Sequence, residues 1–141
     1  MHYNQKVDCV GGVQLDPYFS QLPRRLEDAM AMAAESNSAI VITRNGPPYL
    51  IDYVNSAWEA LCGYTNEEVV GCTLSCIQGN NTRSTTLSKI SRHLDAKVDC
   101  SARLTNYKKN GESFENLIRI VALKNDMGFT THFLGVLEEC I

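Results

Sequence analysis

Excess positive charge, long apolar runs, metal-ligand clusters and catalytic triads are all missing from this sequence, and each absence closes a class of function. Acidic residues outnumber basic ones, giving a formal charge of −3, so there is no electrostatic footprint for nucleic acid. No apolar run approaches the ~18–20 residues that span a bilayer. The opening Met-His-Tyr-Asn-Gln-Lys leads into no apolar core of a secretory leader. The expectation is an intracellular protein, cytoplasmic or nuclear, that contacts neither membrane nor nucleic acid directly. There is also no Ser/His/Asp order, no paired-carboxylate signature and no phosphate loop, since Gly11-Gly12 and the scattered glycines make no nucleotide motif. No catalytic residue is therefore assigned, and the chain does not read as an enzyme.

The six cysteines, at positions 9, 62, 72, 76, 100 and 140, are even in number, which allows disulfides. Without a secretory leader, free thiols are the expectation. Cys72 and Cys76 have Cys-x3-Cys spacing, but no second cysteine or histidine pair follows at a finger-like distance. His2, His93 and His132 are isolated, so no metal site is expected. At 141 residues the chain matches one ordinary domain of ~100–150 residues. A domain of that size buries roughly two-thirds of its unfolded surface and needs no staples.

Residues 1–20 show no clear period and read as an extension packed on the domain or partly disordered. Leu22, Leu26, Ala29, Met30 and Ala33 then recur at helical spacing, with Pro23 suited to a first turn, predicting an amphipathic helix that ends near Asn37. Ala39–Thr43 and Tyr49–Val54 read as a hairpin around the turn-rich Arg44-Asn-Gly-Pro-Pro48. Ser56-x-x-Glu59 and Thr65-x-x-Glu68 fit the capping-box pattern and predict two short helices, the second stopped by Gly71. Leu87, Ile90 and Leu94 place another helix over 84–95. From Val98 the period switches to two: Val98, Cys100, Ala102 and Leu104 form one row, and Phe114, Ile118, Ile120 and Ala122 another. A last strand runs over Thr130–Leu137. The pattern predicts an α+β domain, a five-stranded antiparallel sheet with short helices over one face and an N-terminal flanking helix.

Two asparagines interrupt these apolar rows. Asn106 continues the first and Asn116 sits inside the second, so strict alternation points both amides at the covered face. An odd-length loop around Asn110-Gly111 would make them direct or diagonal neighbours. A buried amide without partners costs about 1–3 kcal/mol. The two must therefore be satisfied by each other, by water, or by a ligand rich in donors and acceptors, with Gln78 as a third amide on the opposite wall. On the outer row of the second strand, Leu117, Val121 and Leu123 form an aliphatic patch interrupted by Arg119. The helix carrying Leu26 and Met30 is the natural cover, from the same chain or from a partner.

Gly71–Gly79 reads Gly-Cys-Thr-Leu-Ser-Cys-Ile-Gln-Gly and resembles the Gly-x-Asn-Cys-Arg-Phe-Leu-Gln-Gly segment of LOV photoreceptors, a branch of the PAS family. Leu61–Gly71, Leu104–Leu117 and Phe133-Leu-Gly-Val136 are similar to further stretches of that family, so the resemblance spans Ala39 to Val136. It implies a PAS fold over residues 39–138, preceded by an extension and flanking helix over 1–38. It also implies that Asn106, Asn116 and Gln78 occupy positions that hydrogen-bond a flavin ring. Several positions depart from the pattern. Leu74 stands where the photoreactive cysteine would be, and Leu137 where a last-strand glutamine would be. Ser75 and Ser91 replace the two arginines that clamp the flavin phosphate, with Lys89, Arg83 and Arg92 as the nearest alternative cations. Cys72 and Cys76, two positions from Leu74, are expected to face away from the ring. The resemblance thus implies a signalling and interaction module that dimerises through the sheet face and N-terminal helix, without adduct photochemistry and with no tightly bound cofactor. The alternative is a light or redox sensor that still binds FMN or riboflavin.

Overall fold

The computed structural model describes residues 17–141. Most of the predicted N-terminal extension lies outside these residues, as do His2, Cys9 and Gly11-Gly12. Five strands form one antiparallel sheet: β1 (Ala39–Arg44), β2 (Ile51–Val54), β3 (Cys100–Tyr107), β4 (Ser113–Lys124) and β5 (Thr130–Cys140), in the order β2-β1-β5-β4-β3. Between β2 and β3 lie α2 (Ser56–Cys62), α3 (Asn66–Val69), a 3-10 turn at Leu74–Ile77 and α4 (Ser84–Ala96). Before the sheet come a 3-10 turn at Pro17–Gln21 and α1 (Leu26–Glu35). This is the predicted α+β architecture.

Alternation along the strands divides the sheet into two cores. Val41, Phe114, Ile118, Ile120, Phe133 and Leu137 point toward the short helices and meet Trp58, Val69 and Ile77. Ile40, Ile42, Val121, Leu123, Leu134 and Val136 point to the other face, where Phe19, Leu22, Ala29 and Ala33 cover them. The outer aliphatic row is therefore covered by its own chain. Val121 and Leu123 are fully buried, which corrects their assignment to a partner surface, and Leu117 is half-buried. On α1, Leu26 is half-buried and Met30 stays 38% exposed.

The first helix starts later than its apolar spacing predicts. Pro23 disfavours helical backbone at Leu22, and the following residues bond across the sheet instead. Arg24 grips Asp99 with two bonds of 2.7 and 2.9 Å, and its carbonyl accepts from the Lys124 N–H at 2.8 Å. Arg25 pairs with Asp126. Helical bonding then begins with the Ala29 N–H donating to the Arg25 carbonyl at 2.9 Å, and Glu27 and Asp28 complement the positive end of the helix dipole.

The start of α2 also differs from expectation. The cap is Asn55, whereas Ser56 and Glu59 form no capping box. Asn55 Oδ1 accepts from Trp58 N (3.0 Å) and Ile40 N (2.9 Å), and its Nδ2 donates to the Ala33 (3.0 Å) and Ser38 (2.9 Å) carbonyls. One buried amide thus ties α1, β1 and α2 together. The Thr65/Glu68 box forms as predicted, with bonds of 3.2 and 2.9 Å.

Candidate functional site

The loop between β3 and β4 spans the five residues 108–112, an odd length, so the Asn106 and Asn116 side chains share the inner face. Leu104 pairs with Asn116 and Asn106 with Phe114, which makes the two asparagines diagonal neighbours. Asn116 Nδ2 donates to Asn106 Oδ1 at 2.8 Å, and Asn106 Nδ2 donates to the Ile77 carbonyl at 2.9 Å. Asn116 Oδ1 accepts from the Glu138 N–H at 3.2 Å. The amides are therefore satisfied by each other and by backbone, and the chain from Asn116 through Asn106 to Ile77 pins the sheet to the 3-10 turn.

That turn has a local origin. Gly71 adopts a left-handed φ of 86°, and its N–H donates to the Ile51 carbonyl at 2.9 Å while the Cys72 carbonyl accepts from Ile51 N at 2.8 Å. The segment is thereby lashed to β2. Thr73 then caps the turn, accepting from Ser75 N at 3.3 Å. At its far end Gly79 passes against Tyr107 so closely that a Cβ there would lie 2.4 Å from the ring. Both glycines of the Gly71–Gly79 segment are thus explained by backbone geometry.

Between the turn, α4 and the sheet lies a cavity of about 380 Å³, within the roughly 300–1,000 Å³ range of small-molecule sites. The sheet side is mainly apolar, with Val41, Ile118, Ile120 and Phe133, and Gly135 keeps the floor low. The opposite side carries Leu74, Gln78, Leu87, Ile90 and Leu94. Asn106 supplies the sheet's amide. Gln78, half-buried on the opposite wall, makes no side-chain hydrogen bond among the described residues. Ser75 and Ser91 are exposed and also line the cavity, so they mark its mouth. Among the described residues, no lysine, arginine, histidine or carboxylate lines it.

Of the sequence-predicted site residues, the cavity brings together Asn106, Gln78 and Leu74. Two are corrected. Asn116 is fully buried behind Asn106 and does not line the cavity; Leu137, paired with Ile118, is packed in the core. Lys89, Arg83 and Arg92 are also absent from its walls, and the Lys89 ammonium donates to the Ser101 carbonyl at 2.9 Å. Among the described residues, no cysteine lines the cavity. Cys72 is exposed, its thiol against the Glu68 carbonyl at 3.7 Å, and Cys76 is half-buried with a thiol pushed up by burial. The turn over Leu74–Ile77 has about three residues per turn, which points the Cys76 side chain well away from that of Leu74, and Cys72 precedes the turn. Burial raises the Cys62 thiol to about 12, so it is protonated at neutral pH.

Sequence reasoning missed Thr43, Tyr49 and Gly135. Thr43 continues the row of Ala39 and Val41 into the cavity, a signal that alternation alone contained. Tyr49 had no local signal. It holds a positive φ of 62°, stacks edge-on against Phe133 with centroids 5.9 Å apart, and reaches Asp95 on α4 with its hydroxyl. Desolvation first, and then the Asp95 carboxylate, raise its phenol to about 12.

Comparison with known proteins gives a consistent picture. Residues 36–139 match the family described as PAS domain. Phototropin-1A of Oryza sativa subsp. japonica is 31% identical over 119 residues, covering 84% of this chain and 13% of that protein. A blue-light photoreceptor of Listeria innocua is 32% identical over 108 residues, covering 74% of this chain and 41% of its relative. The chain therefore spans less than half the length of these relatives. Among solved structures, a light-oxygen-voltage domain studied with a flavin analogue has a TM-score of 0.70 at 30% identity, covering 74% of this chain and 78% of that one. The PAS domain of the fruit-fly ELK potassium channel has a TM-score of 0.73 at 24% identity, covering 81% and 96%, and supports the fold alone.

Proposed function

The chain belongs to the PAS domain family, with LOV domains among its relatives, and on that premise we propose that it is a non-enzymatic signalling and interaction module unable to form a cysteinyl–flavin adduct. The observation that carries this reading is the cavity wall, where Leu74 stands and no thiol is present among the described residues. A thioether bond to a ring needs a sulfur at the ring face, and the nearest cysteines in sequence point elsewhere. In this reading the module acts inside the cell, in cytoplasm or nucleus, and neither membrane nor nucleic acid is its direct partner. Its partner is a protein or a second copy of the chain, meeting the exposed side of α1 at Met30 and the half-buried Leu26 and Leu117.

The test is spectroscopic and hydrodynamic. Protein incubated with riboflavin is illuminated with blue light, and its spectrum should be unchanged in the following dark period. A thiol-adduct band that replaces the blue band on illumination, recovers in the dark and is abolished by Cys72→Ala/Cys76→Ala would refute the adduct-free reading, whereas bleaching that persists without these cysteines is reduction of the flavin. For the interaction part, sedimentation at high micromolar concentration should show self-association that Met30→Arg weakens; a monomer throughout would sink the homodimer.

A specific observation favours a second reading, a light or redox sensor that binds FMN or riboflavin without an adduct. Gln78 and Asn106 both line a ring-sized cavity, and one similar structure is a light-oxygen-voltage domain studied with a flavin analogue. The residues present suit the ring but offer no cation to a phosphate. A flavin bound here would supply light absorption and redox capacity, while the chain's own residues would orient its edge and exclude water. Purified protein that is yellow favours this reading; colourless protein that leaves riboflavin fluorescence unquenched counts against it.

A further inference from the structure

The mouth of the cavity has a definite electrostatic character. Its three exposed lining residues, Pro48, Ser75 and Ser91, are uncharged. Asp95 follows Ser91 by one helical turn, which puts the two side chains about 5–6 Å apart on the same side of α4. Its carboxylate is held in place by the Tyr49 hydroxyl, and Tyr49 itself lines the cavity. Leu94 lies in the last turn of α4, where the helix dipole is negative. The lysine closest to this mouth along α4, Lys89, is turned to β3. Inside, one amide is left to recognise a ligand edge, because Gln78 makes no side-chain hydrogen bond among the described residues while Asn106 and Asn116 are engaged with each other and with backbone.

We infer that the cavity selects an uncharged, flat, largely apolar ligand with an amide-like edge for Gln78, and discriminates against the same ring carrying a phosphate. The inference rests on the second reading above only in that a ligand enters this cavity; it is independent of adduct chemistry. The phosphate would emerge beside Ser91, where no cation among the described residues lines the cavity, with Arg92 set about 100° further round the helix and Asp95 one turn away. A phosphate of ~1.5–2 negative charges beside one carboxylate at this separation in water weakens binding about tenfold. Salt screens such an exposed pair. Two charge-assisted contacts at the mouth would reverse the preference by about a hundredfold or more.

The experiment titrates the intact chain with lumichrome, riboflavin and FMN, following ligand fluorescence and the protein's melting temperature at low and moderate salt. Lumichrome and riboflavin should bind, FMN about tenfold more weakly at low salt, with a gap that narrows as salt rises. Gln78→Leu should weaken all three. The double variant Ser75→Arg/Ser91→Arg changes only exposed positions, and it should favour FMN by about a hundredfold relative to the unmodified protein; Ser91→Arg alone serves as the second variant, moving the preference the same way by about tenfold. Equal or tighter binding of FMN to the unmodified chain overturns the inference, as does failure of all three to bind. A cysteine-dependent adduct of bound riboflavin on illumination would instead defeat the adduct-free reading and leave this selectivity intact.

Discussion

Replacing Asn106 and Asn116 by leucine, singly and together, tests whether these amides are each other's partners. Asn116→Leu removes the 2.8 Å bond to Asn106 Oδ1 and the 3.2 Å bond from Glu138 N. It strands the Asn106 oxygen in a site only 2% exposed, and an orphaned buried acceptor costs about 1–3 kcal/mol. Asn106→Leu loses the same pair bond and the 2.9 Å bond to the Ile77 carbonyl, orphaning the Asn116 amide as well. Its cost should be about 2–4 kcal/mol by the same reasoning. The double variant has no amide left to orphan between the two positions, and it extends apolar rows on both strands. Its loss should fall short of the sum by about 1–2 kcal/mol, within the range of coupled contacts. Trp58, the chain's single tryptophan and fully buried in the inner core, reports urea unfolding directly. Additive losses, within about 0.5 kcal/mol, would refute mutual pairing and point to water or a ligand as the true partner.

Three further outcomes follow from individual residues. Asn55→Leu removes four hydrogen bonds in one step, so stability should fall by about 3–4 kcal/mol, seen as a large drop in melting temperature; a loss under about 1 kcal/mol would contradict the hub. Gly79→Ala should cost about 1–3 kcal/mol by overpacking against Tyr107, with most of the loss recovered in Gly79→Ala/Tyr107→Leu; a neutral Gly79→Ala in the presence of Tyr107 would show that the ring yields. Tyr49 should remain protonated to about pH 12. Because its pKa is raised on folding from the usual 10.0, its contribution to stability is complete below pH ~10 and is lost as pH rises through the folded value. The phenolate absorbance difference between the unmodified chain and Tyr49→Phe measures this, Asp95→Asn should lower the midpoint, and a midpoint near the usual value would defeat the assignment.

Much of the fold was legible because its signals are local. Period-two rows identify the inner faces of β3 and β4, and the odd loop at Asn110-Gly111 brings Asn106 and Asn116 to one face with no tertiary knowledge required. The Thr65/Glu68 box and the helix beginning at Ser84 are likewise written within a few residues. What misled was long-range. The start of α1 is decided by Arg24 reaching Asp99, 75 residues away, and the α2 cap by an asparagine whose partners lie up to 22 residues off. Leu137 and Asn116 belong to the right rows, but depth within a row decides whether a side chain meets the cavity or the core behind it.

The sequence by itself determined that no thiol stands at position 74 and no cation at positions 75 and 91, because side-chain chemistry at a motif position is a matter of identity alone. It determined the sheet too, through alternation and turn residues that act between neighbours. Only the tertiary structure decided which partners satisfy the buried amides, and it leaves the half-buried Gln78 without a side-chain partner among the described residues. It also decided that Val121 and Leu123 are covered by their own chain. Those outcomes depend on which distant surfaces meet, and close packing of a sheet with two helical layers settles that through contacts no local window contains.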